Sequence, residues 1–136
     1  MQQRASDKYH SGGLWSNTCC SHPLPGESVI SAAHRRLEEE MGFDCVLEET
    51  INVIYKAVVG GGLMEYEYDH VMVGVFDGTP HINQQEAQGW KWTPLPSLTE
   101  EIMRFPDHFS HWLKLIVKFH STDLTNGLVS LRDVES

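Results

Sequence analysis

Apolar residues recur at every fourth position in one otherwise polar stretch of the chain. They are Val29, Ala33, Leu37 and Met41, with Ile30 beside them. This spacing places an apolar stripe along one side of a helix. Gly42 follows at once, and glycine commonly ends a helix because it adopts the left-handed conformation at little cost. The pattern therefore predicts a helix over Glu27–Met41.

Other stretches are rich in β-branched residues or alternate between apolar and polar side chains, which is typical of strands. The predicted strands cover residues 14–19, 44–58, 63–76 and 90–92, with a glycine turn at 60–62. Pro106 separates two further helices, predicted at 96–104 and 107–120. Because helices interleave with hairpin-like strand pairs, we expect an α/β (α+β) fold with a mixed β-sheet sandwiched between helices, rather than a doubly wound sheet.

Composition narrows the class of protein. The chain has 136 residues, of which 40% are apolar, so we expect one domain over residues 1–136. With 10 basic and 19 acidic residues the net charge is −9, which disfavours nucleic-acid binding.

The apolar runs are too short to span a membrane, and the start of the chain does not resemble a signal peptide. Three cysteines make no disulfide framework. We therefore expect a cytoplasmic protein with a flexible tail at 125–136.

The end of the first helix carries three consecutive acids, Glu38, Glu39 and Glu40, one turn after Arg35 and Arg36. Carboxylates at a helix C-terminus are disfavoured by the helix dipole. A solvated charged face and a cation-binding site are equally good explanations of this placement.

Two acids also share a face of a predicted strand. Glu65 and Glu67 lie two residues apart, about 6.6 Å along a strand, and repel each other unless a metal or a shared proton lies between them. The alternative is an edge strand whose face is exposed to solvent, so that both carboxylates are hydrated. The strand continues into the apolar run at 71–76, which makes a functional role more credible.

Cys20 and His22 lie two residues apart in a loop ahead of the helix. A thiol beside an imidazole suits a metal site, a nucleophile or a proton-transfer pair, although such pairs are more often structural. The chain shows neither a serine-hydrolase nucleophile elbow nor a second cysteine pair of the zinc-finger kind. Arg4 and Lys8, taken alone, are ordinary surface charges.

Together these segments resemble a known family. They are 17–23 (NTCCSHP), 34–43 (HRRLEEEMGF), 65–69 (EYEYD) and 109–112 (FSHW), and the similarity runs over about residues 3–120 through Glu86 and Trp92. They are similar to type I isopentenyl-diphosphate delta-isomerases, a branch of the Nudix fold. Members interconvert isopentenyl and dimethylallyl diphosphate in isoprenoid biosynthesis by a 1,3 proton shift through a carbocation-like centre.

The resemblance implies a role for each matching residue. Cys20 would act on one face of the substrate, and Glu67 with Tyr55 on the other. A second divalent metal, Mn²⁺ or Zn²⁺, would take His22, Glu65 and Glu67, while Glu40 would hold Mg²⁺ with the diphosphate. The diphosphate would be bound by Arg4, Lys8 and Arg36, and Trp112 would face the cationic centre. The partner would be a small isoprenoid diphosphate, with no nucleic acid or membrane, and the protein a monomer or homodimer.

Two departures from the family pattern matter. Arg36 stands where Nudix hydrolases carry the first glutamate of their metal-binding triplet, which favours holding a diphosphate over cleaving it. The family also carries a longer region before the position of Arg4, with two further histidine ligands and the first strands. We therefore expect an N-terminally truncated chain with an under-coordinated metal and an unpaired sheet edge.

The sequence is also compatible with two other functions. One is a Nudix pyrophosphohydrolase, which would depend on Glu39 and Glu40. The other is an inactive fragment that binds a partner or self-associates through an open sheet edge.

Overall fold

The computed structural model describes residues 1–8, 11–20, 22–59 and 63–119, and for 50–59 and 63–69 it describes the backbone. The strands are β1 (Gln2–Arg4), β2 (Trp15–Ser16), β3 (Leu47–Val59), β4 (Leu63–Gly74) and β5 (Ala87–Trp90). The helices are α1 (Val29–Met41), α2 (Leu95–Arg104) and α3 (111–119), with a 3-10 turn at Pro106–His108. The predicted flexible tail and glycine turn lie outside the described residues.

The described strands form two antiparallel sheets. In the first, β1 lies between β2 and β5, so that Gln2 pairs with Ser16 on one side and Trp90 on the other. In the second, β3 pairs with β4 along their whole length, and the register places Tyr55 opposite Glu67. Helices and antiparallel sheets together confirm the predicted α+β class.

Helix α1 begins and ends where its capping residues predict. Ser28 is the N-cap, and its hydroxyl accepts a hydrogen bond from the backbone N–H of Ser31 at 3.2 Å. At the other end Gly42 adopts a positive φ of 71° and its N–H donates to the carbonyl of Glu38. Leu37 and Met41 are buried as the periodicity predicts, whereas Ile30 is 41% exposed.

Helix α3 supplies much of the described core. Trp112 and Ile116 form one buried cluster, against which Cys20 and Val71 pack. On the same helix, Leu113 and Val117 pack with Leu98 of α2 and with Phe109 in a second cluster. The helix therefore connects the Cys20 loop to the rest of the domain through apolar contacts.

Some predicted boundaries are wrong. The strand predicted at 90–92 lies instead at Ala87–Trp90, where β1 provides its hydrogen-bonding partner. The strand at Gln2–Arg4 is too polar to show in the apolar pattern, and it forms because it lies between two other strands. The helix predicted from residue 107 begins only at 111, after the 3-10 turn. No helix in the described ranges combines the length and apolarity needed to cross a bilayer.

The left-handed conformation at Gly42 can be tested by substitution. An added Cβ would lie 2.4 Å from the carbonyl oxygen of His81, whereas at Gly26, also left-handed with φ 79°, it would meet open space. We expect Gly26→Ala to lower the free energy of unfolding by about 1 kcal/mol and Gly42→Ala by about 2 kcal/mol or more. Urea denaturation measures both. Equal losses would show that the contact with His81 costs nothing.

A second prediction concerns pH. Hydrogen bonds from Arg35 and from the backbone N–H of Leu24 lower the pKa of Glu27 to about 2. The stabilisation by this carboxylate is therefore present above its ordinary pKa of 4.5 and is lost as the pH falls towards 2. Glu27→Gln should destabilise the protein at pH 6, and the difference from the unsubstituted chain should shrink on acidification.

Urea unfolding across the pH range measures this difference. Glu38→Gln is the control, since that exposed carboxylate makes no ion pair within the described part of the chain. A Glu27→Gln difference that stays constant from pH 6 to 2.5 would contradict the assigned ion pair.

Candidate active site

A cavity of about 710 Å³ brings together residues that are distant in the sequence. Its lining includes Arg4, Lys8, Cys20, His22, Arg36 and Trp112. Apolar side chains such as Leu37, Val71 and Ile116 line it as well. A cavity with both cationic and apolar walls suits an amphiphilic anion. Arg4 and Lys8, which look like isolated surface charges in the sequence, thus belong to its wall.

Cys20 lies on this wall with its thiol surrounded by polar partners. The Sγ atom donates to Asn17 Oδ1 at 2.9 Å and lies 3.4 Å from Ser16 Oγ. Trp112 Nε1 donates to the sulfur at 2.9 Å. Burial raises the pKa of this thiol to about 11, although the hydrogen bonds from Ser16 and Trp112 act in the opposite direction. The thiol is therefore protonated at neutral pH.

Asn17 organises this corner of the site. Its carboxamide oxygen accepts from Cys20 and also from Trp112 Nε1 at 3.2 Å, while its Nδ2 donates to the carbonyl of Cys19. Ser16 joins β2 to the start of α3 through a buried hydroxyl contact of 2.9 Å with Ser110. The sequence patterns assign no role to Ser16, Asn17 or Ser110, although Asn17 and Ser110 lie inside the NTCCSHP and FSHW segments that carry the family resemblance.

The indole of Trp112 is buried, with 5% of its surface exposed. The guanidinium carbon of Arg4 lies 5.2 Å from the centroid of the ring, a cation–π distance. The ring therefore already binds a cation on the face that Arg4 covers.

Glu40 lies behind the cavity wall and is 2% exposed. Gln2 Nε2 donates to its Oε1 at 3.1 Å, and the thiol of Cys19 donates to its Oε2 at 3.1 Å. Arg36 Nη2 approaches the same Oε2 at 3.3 Å. Burial and the neighbouring Glu40 carboxylate raise the pKa of Cys19, so this thiol remains a donor. Of the three acidic residues that end α1, Glu40 is buried, whereas Glu38 and Glu39 are exposed.

Arg36 lies among three carboxylates. Besides Glu40 it pairs with Glu39 at 2.5 Å and with Glu86 at 3.2 Å. Its Nε is buried and has no hydrogen-bond partner in the described part of the protein. Buried donors normally find an acceptor, and the side chain that carries this one also lines the cavity.

Glu86 joins Arg36 to Lys8, whose ammonium group is hydrogen-bonded to the same carboxylate oxygen. Partial burial acts to raise the pKa of Glu86, but the hydrogen bonds from Lys8 and Arg36 dominate and lower it, so the group is ionised at neutral pH. Sequence reasoning placed Glu86 within the family resemblance but assigned it no role.

The remaining predicted residues are only partly described. His22 is exposed and lies on the cavity wall. For Tyr55, Glu65 and Glu67 the backbone register is described and the side chains are not. The side chains that are described include no group of three His, Cys, Asp or Glu positioned to hold a metal ion. The imidazole of His22 and the carboxylates of Glu65 and Glu67 are nevertheless donor types that suit divalent metals.

Comparison with known proteins defines the class. The family described as NUDIX domain matches residues 1–113, which include α1 and most of the cavity wall. The crystal structure of DR0079 from Deinococcus radiodurans shares the fold with a TM-score of 0.64 at 14% identity. That similarity covers 88% of this chain and 72% of DR0079. The chain is thus built on a NUDIX domain.

Curated relatives narrow the family further. "Isopentenyl-diphosphate Delta-isomerase 2" of Aromatoleum aromaticum is 52% identical over 83% of this chain and 60% of the relative. The protein of the same description from Photorhabdus laumondii is 48% identical over 99% of this chain and 71% of the relative. The chain belongs to the isopentenyl-diphosphate Delta-isomerase family, as the resemblance implied, and spans about 60–71% of the length of these two relatives.

The indole N–H of Trp112 gives a testable prediction. Trp112→Phe keeps the apolar ring and removes the donor to Asn17 and Cys20. We expect a loss of about 1–3 kcal/mol in the free energy of unfolding, because buried acceptors lose their partner. Trp92 is 62% exposed, so Trp92→Phe should change stability by less than about 0.5 kcal/mol. Equal effects in urea unfolding would contradict the importance of this hydrogen bond.

Proposed function

We propose that this protein is an isopentenyl-diphosphate delta-isomerase, which interconverts isopentenyl and dimethylallyl diphosphate. The observation that carries the proposal is the thiol of Cys20, held by Asn17 and Trp112 on the wall of a cavity that three basic side chains also line. A proton donor beside an anion-binding surface suits a proton shift on an organic diphosphate. The names of the curated relatives support the same reaction.

Arg4, Lys8 and Arg36 bind the diphosphate in this proposal. All three line the same cavity, and Arg36 Nε is a buried donor without a partner in the described residues. Charge-assisted hydrogen bonds to phosphate oxygens are among the strongest available to these side chains. The isoprenoid end of the substrate packs against apolar walls such as Leu37, Val71 and Ile116.

The chemistry is a pair of proton transfers on opposite faces of the substrate. One proton adds to the carbon–carbon double bond, a cationic centre forms, and a second proton leaves from the neighbouring carbon so that the double bond shifts. Cys20 serves one face, as thiol donor in one direction of this reversible reaction and as thiolate acceptor in the other. Glu67, opposite Tyr55 in the β3–β4 register, serves the other face.

Trp112 stabilises the cationic centre. Its ring already accepts the guanidinium of Arg4 at a cation–π distance, which supports the affinity of this ring for positive charge. Its N–H also holds Cys20 at 2.9 Å, so one side chain orients the thiol and contacts the intermediate.

The proposal assigns two divalent ions. Glu40 and the substrate diphosphate would hold Mg²⁺, which prefers oxygen ligands. Because Glu40 lies behind the cavity wall, the ion would replace Cys19 and Arg36 as partners of its Oε2 atom. His22, Glu65 and Glu67 would hold the second metal, Mn²⁺ or Zn²⁺, since imidazole and carboxylate suit both ions. Bound metal would supply positive charge that offsets the diphosphate and lowers the pKa of coordinated groups.

The proposal also includes the compartment, the oligomeric state and the binding partners of the protein. We infer a cytoplasmic monomer or homodimer that acts on a small-molecule substrate and binds neither nucleic acid nor membrane. The net charge of −9 disfavours nucleic acid, and the three cysteines, none of which forms a disulfide, suit a reducing compartment.

Cys20→Ala tests the assignment of the proton donor. We expect it to lower the conversion of isopentenyl diphosphate, with Mg²⁺ and Mn²⁺ present, by roughly 10²–10⁴-fold, since that is the usual contribution of a positioned acid or base. Cys45→Ala is the matched control, because Cys45 also lines the cavity but has no assigned role. Product analysis measures both variants, and a chelator should abolish the activity of the unsubstituted chain.

The assay uses the 136-residue chain and a form extended with the N-terminal region of the Photorhabdus laumondii relative. No conversion by either form would overturn the proposal. Cleavage of nucleoside diphosphates that is lost in Glu39→Gln or Glu40→Gln would assign a pyrophosphohydrolase instead.

A further inference from the structure

Glu86 lies between two of the basic side chains on the cavity wall. Its Oε2 atom accepts a hydrogen bond from Lys8 Nζ and lies 3.2 Å from Arg36 Nη2. Lys8 follows β1, Arg36 belongs to α1, and Glu86 immediately precedes β5. One carboxylate oxygen therefore joins three separate segments of the chain at the point where they border the cavity.

The backbone around Glu86 is held in place on several sides. Its carbonyl accepts from the N–H of Ala5 at 3.1 Å, and its own N–H donates to the carbonyl of Asn83 at 2.9 Å. The N–H of Asn83 donates in turn to the carbonyl of Glu40 at 3.0 Å. The Glu86 side chain thus projects from a segment that is anchored to both β1 and the end of α1.

Two cations as close as Lys8 and Arg36 repel each other in the absence of an anion. A carboxylate that binds both of them removes this repulsion and limits the conformations of two long side chains. The partially buried setting makes the interaction stronger than an ordinary surface ion pair, because side-chain exposure is only 25% for Lys8, 18% for Arg36 and 21% for Glu86.

We propose that Glu86 is a positioning residue, which holds Lys8 and Arg36 at the spacing needed to bind two linked phosphates at once. The role rests on the proposed diphosphate site and deepens it. Glu86 does not touch the substrate and acts through its two basic partners. Since the two cations are held as a pair, Glu86 favours a diphosphate over a single phosphate, which needs fewer simultaneous contacts.

Calorimetric binding of inorganic pyrophosphate and orthophosphate, at fixed Mg²⁺, tests this role. We expect Glu86→Ala to weaken pyrophosphate binding by about tenfold, which corresponds to roughly 1.4 kcal/mol, and to weaken orthophosphate binding by less. Glu86→Gln retains an acceptor oxygen and should lie between Glu86→Ala and the unsubstituted chain. Glu27→Gln is the matched control, since it also removes a carboxylate–guanidinium pair of α1 but lies outside the cavity wall, and its pyrophosphate affinity should be unchanged.

A double-mutant cycle tests whether Glu86 acts through Lys8. The effect of Glu86→Ala on pyrophosphate binding should be smaller in a Lys8→Met background than in the unsubstituted chain. Additive effects, or pyrophosphate binding by Glu86→Ala that is as tight as before or tighter, would overturn the positioning role. Tighter binding would show that Glu86 competes with the ligand for the two cations.

Pyrophosphate binding by the unsubstituted chain distinguishes a failure of the positioning role from a failure of the proposed function. If the unsubstituted chain fails to bind pyrophosphate, the diphosphate site itself is wrong, and the role of Glu86 falls with it. If that chain binds and only the Glu86 variants depart from expectation, the positioning role alone is wrong. Thermal unfolding checks that each variant is folded, and Glu86→Gln carries the test if Glu86→Ala does not fold.

Discussion

The arrangement of the cavity depends on one guanidinium that is held among carboxylates. Arg36 lies against Glu39, Glu40 and Glu86, and through Glu86 it is linked to Lys8. A charge that is only 18% exposed needs such partners, because removing it from water without them is costly. The contacts fix the end of α1 against the segment before β5 and against the turn after β1. The same contacts determine where the basic groups stand on the cavity wall.

A second network, built from neutral groups, holds the thiol. Cys20, Asn17, Ser16 and the Trp112 indole satisfy one another in a mostly buried corner between β2 and α3. Burial raises the pKa of Cys20, while the hydrogen bonds from Ser16 and Trp112 and the nearby charge of Arg4 lower it. Burial dominates, and the pKa stays above the ordinary value of a thiol. Arg4 connects this network to the basic side of the cavity, because its guanidinium lies 5.2 Å from the centroid of the Trp112 ring.

Much of the architecture follows from local patterns. The four-residue apolar period and Gly42 predict α1 to within two residues of its observed start, and the β-branched runs predict β3 and β4. The patterns fail where an element depends on a distant partner. Strand β1 is polar and exists because β2 and β5 flank it. Residues 109 and 110 lie outside the last helix because Phe109 pairs with Trp15 and the N–H of Ser110 donates to the Trp15 carbonyl. For the site, the family resemblance selects Cys20 and Arg36, but it does not reveal the contacts that hold them.

Residue order alone establishes the family, the acidic charge and the identity of the chemical groups. Short motifs such as NTCCSHP and HRRLEEEMGF carry that information within a few residues of each other. Tertiary packing decides which of these groups act together. Of the three acids that end α1, only Glu40 is buried, and Glu86, more than forty residues later, becomes the partner of Lys8 and Arg36. Burial and long-range ion pairing are properties of the folded chain, because they depend on the distances that folding creates between segments far apart in the sequence.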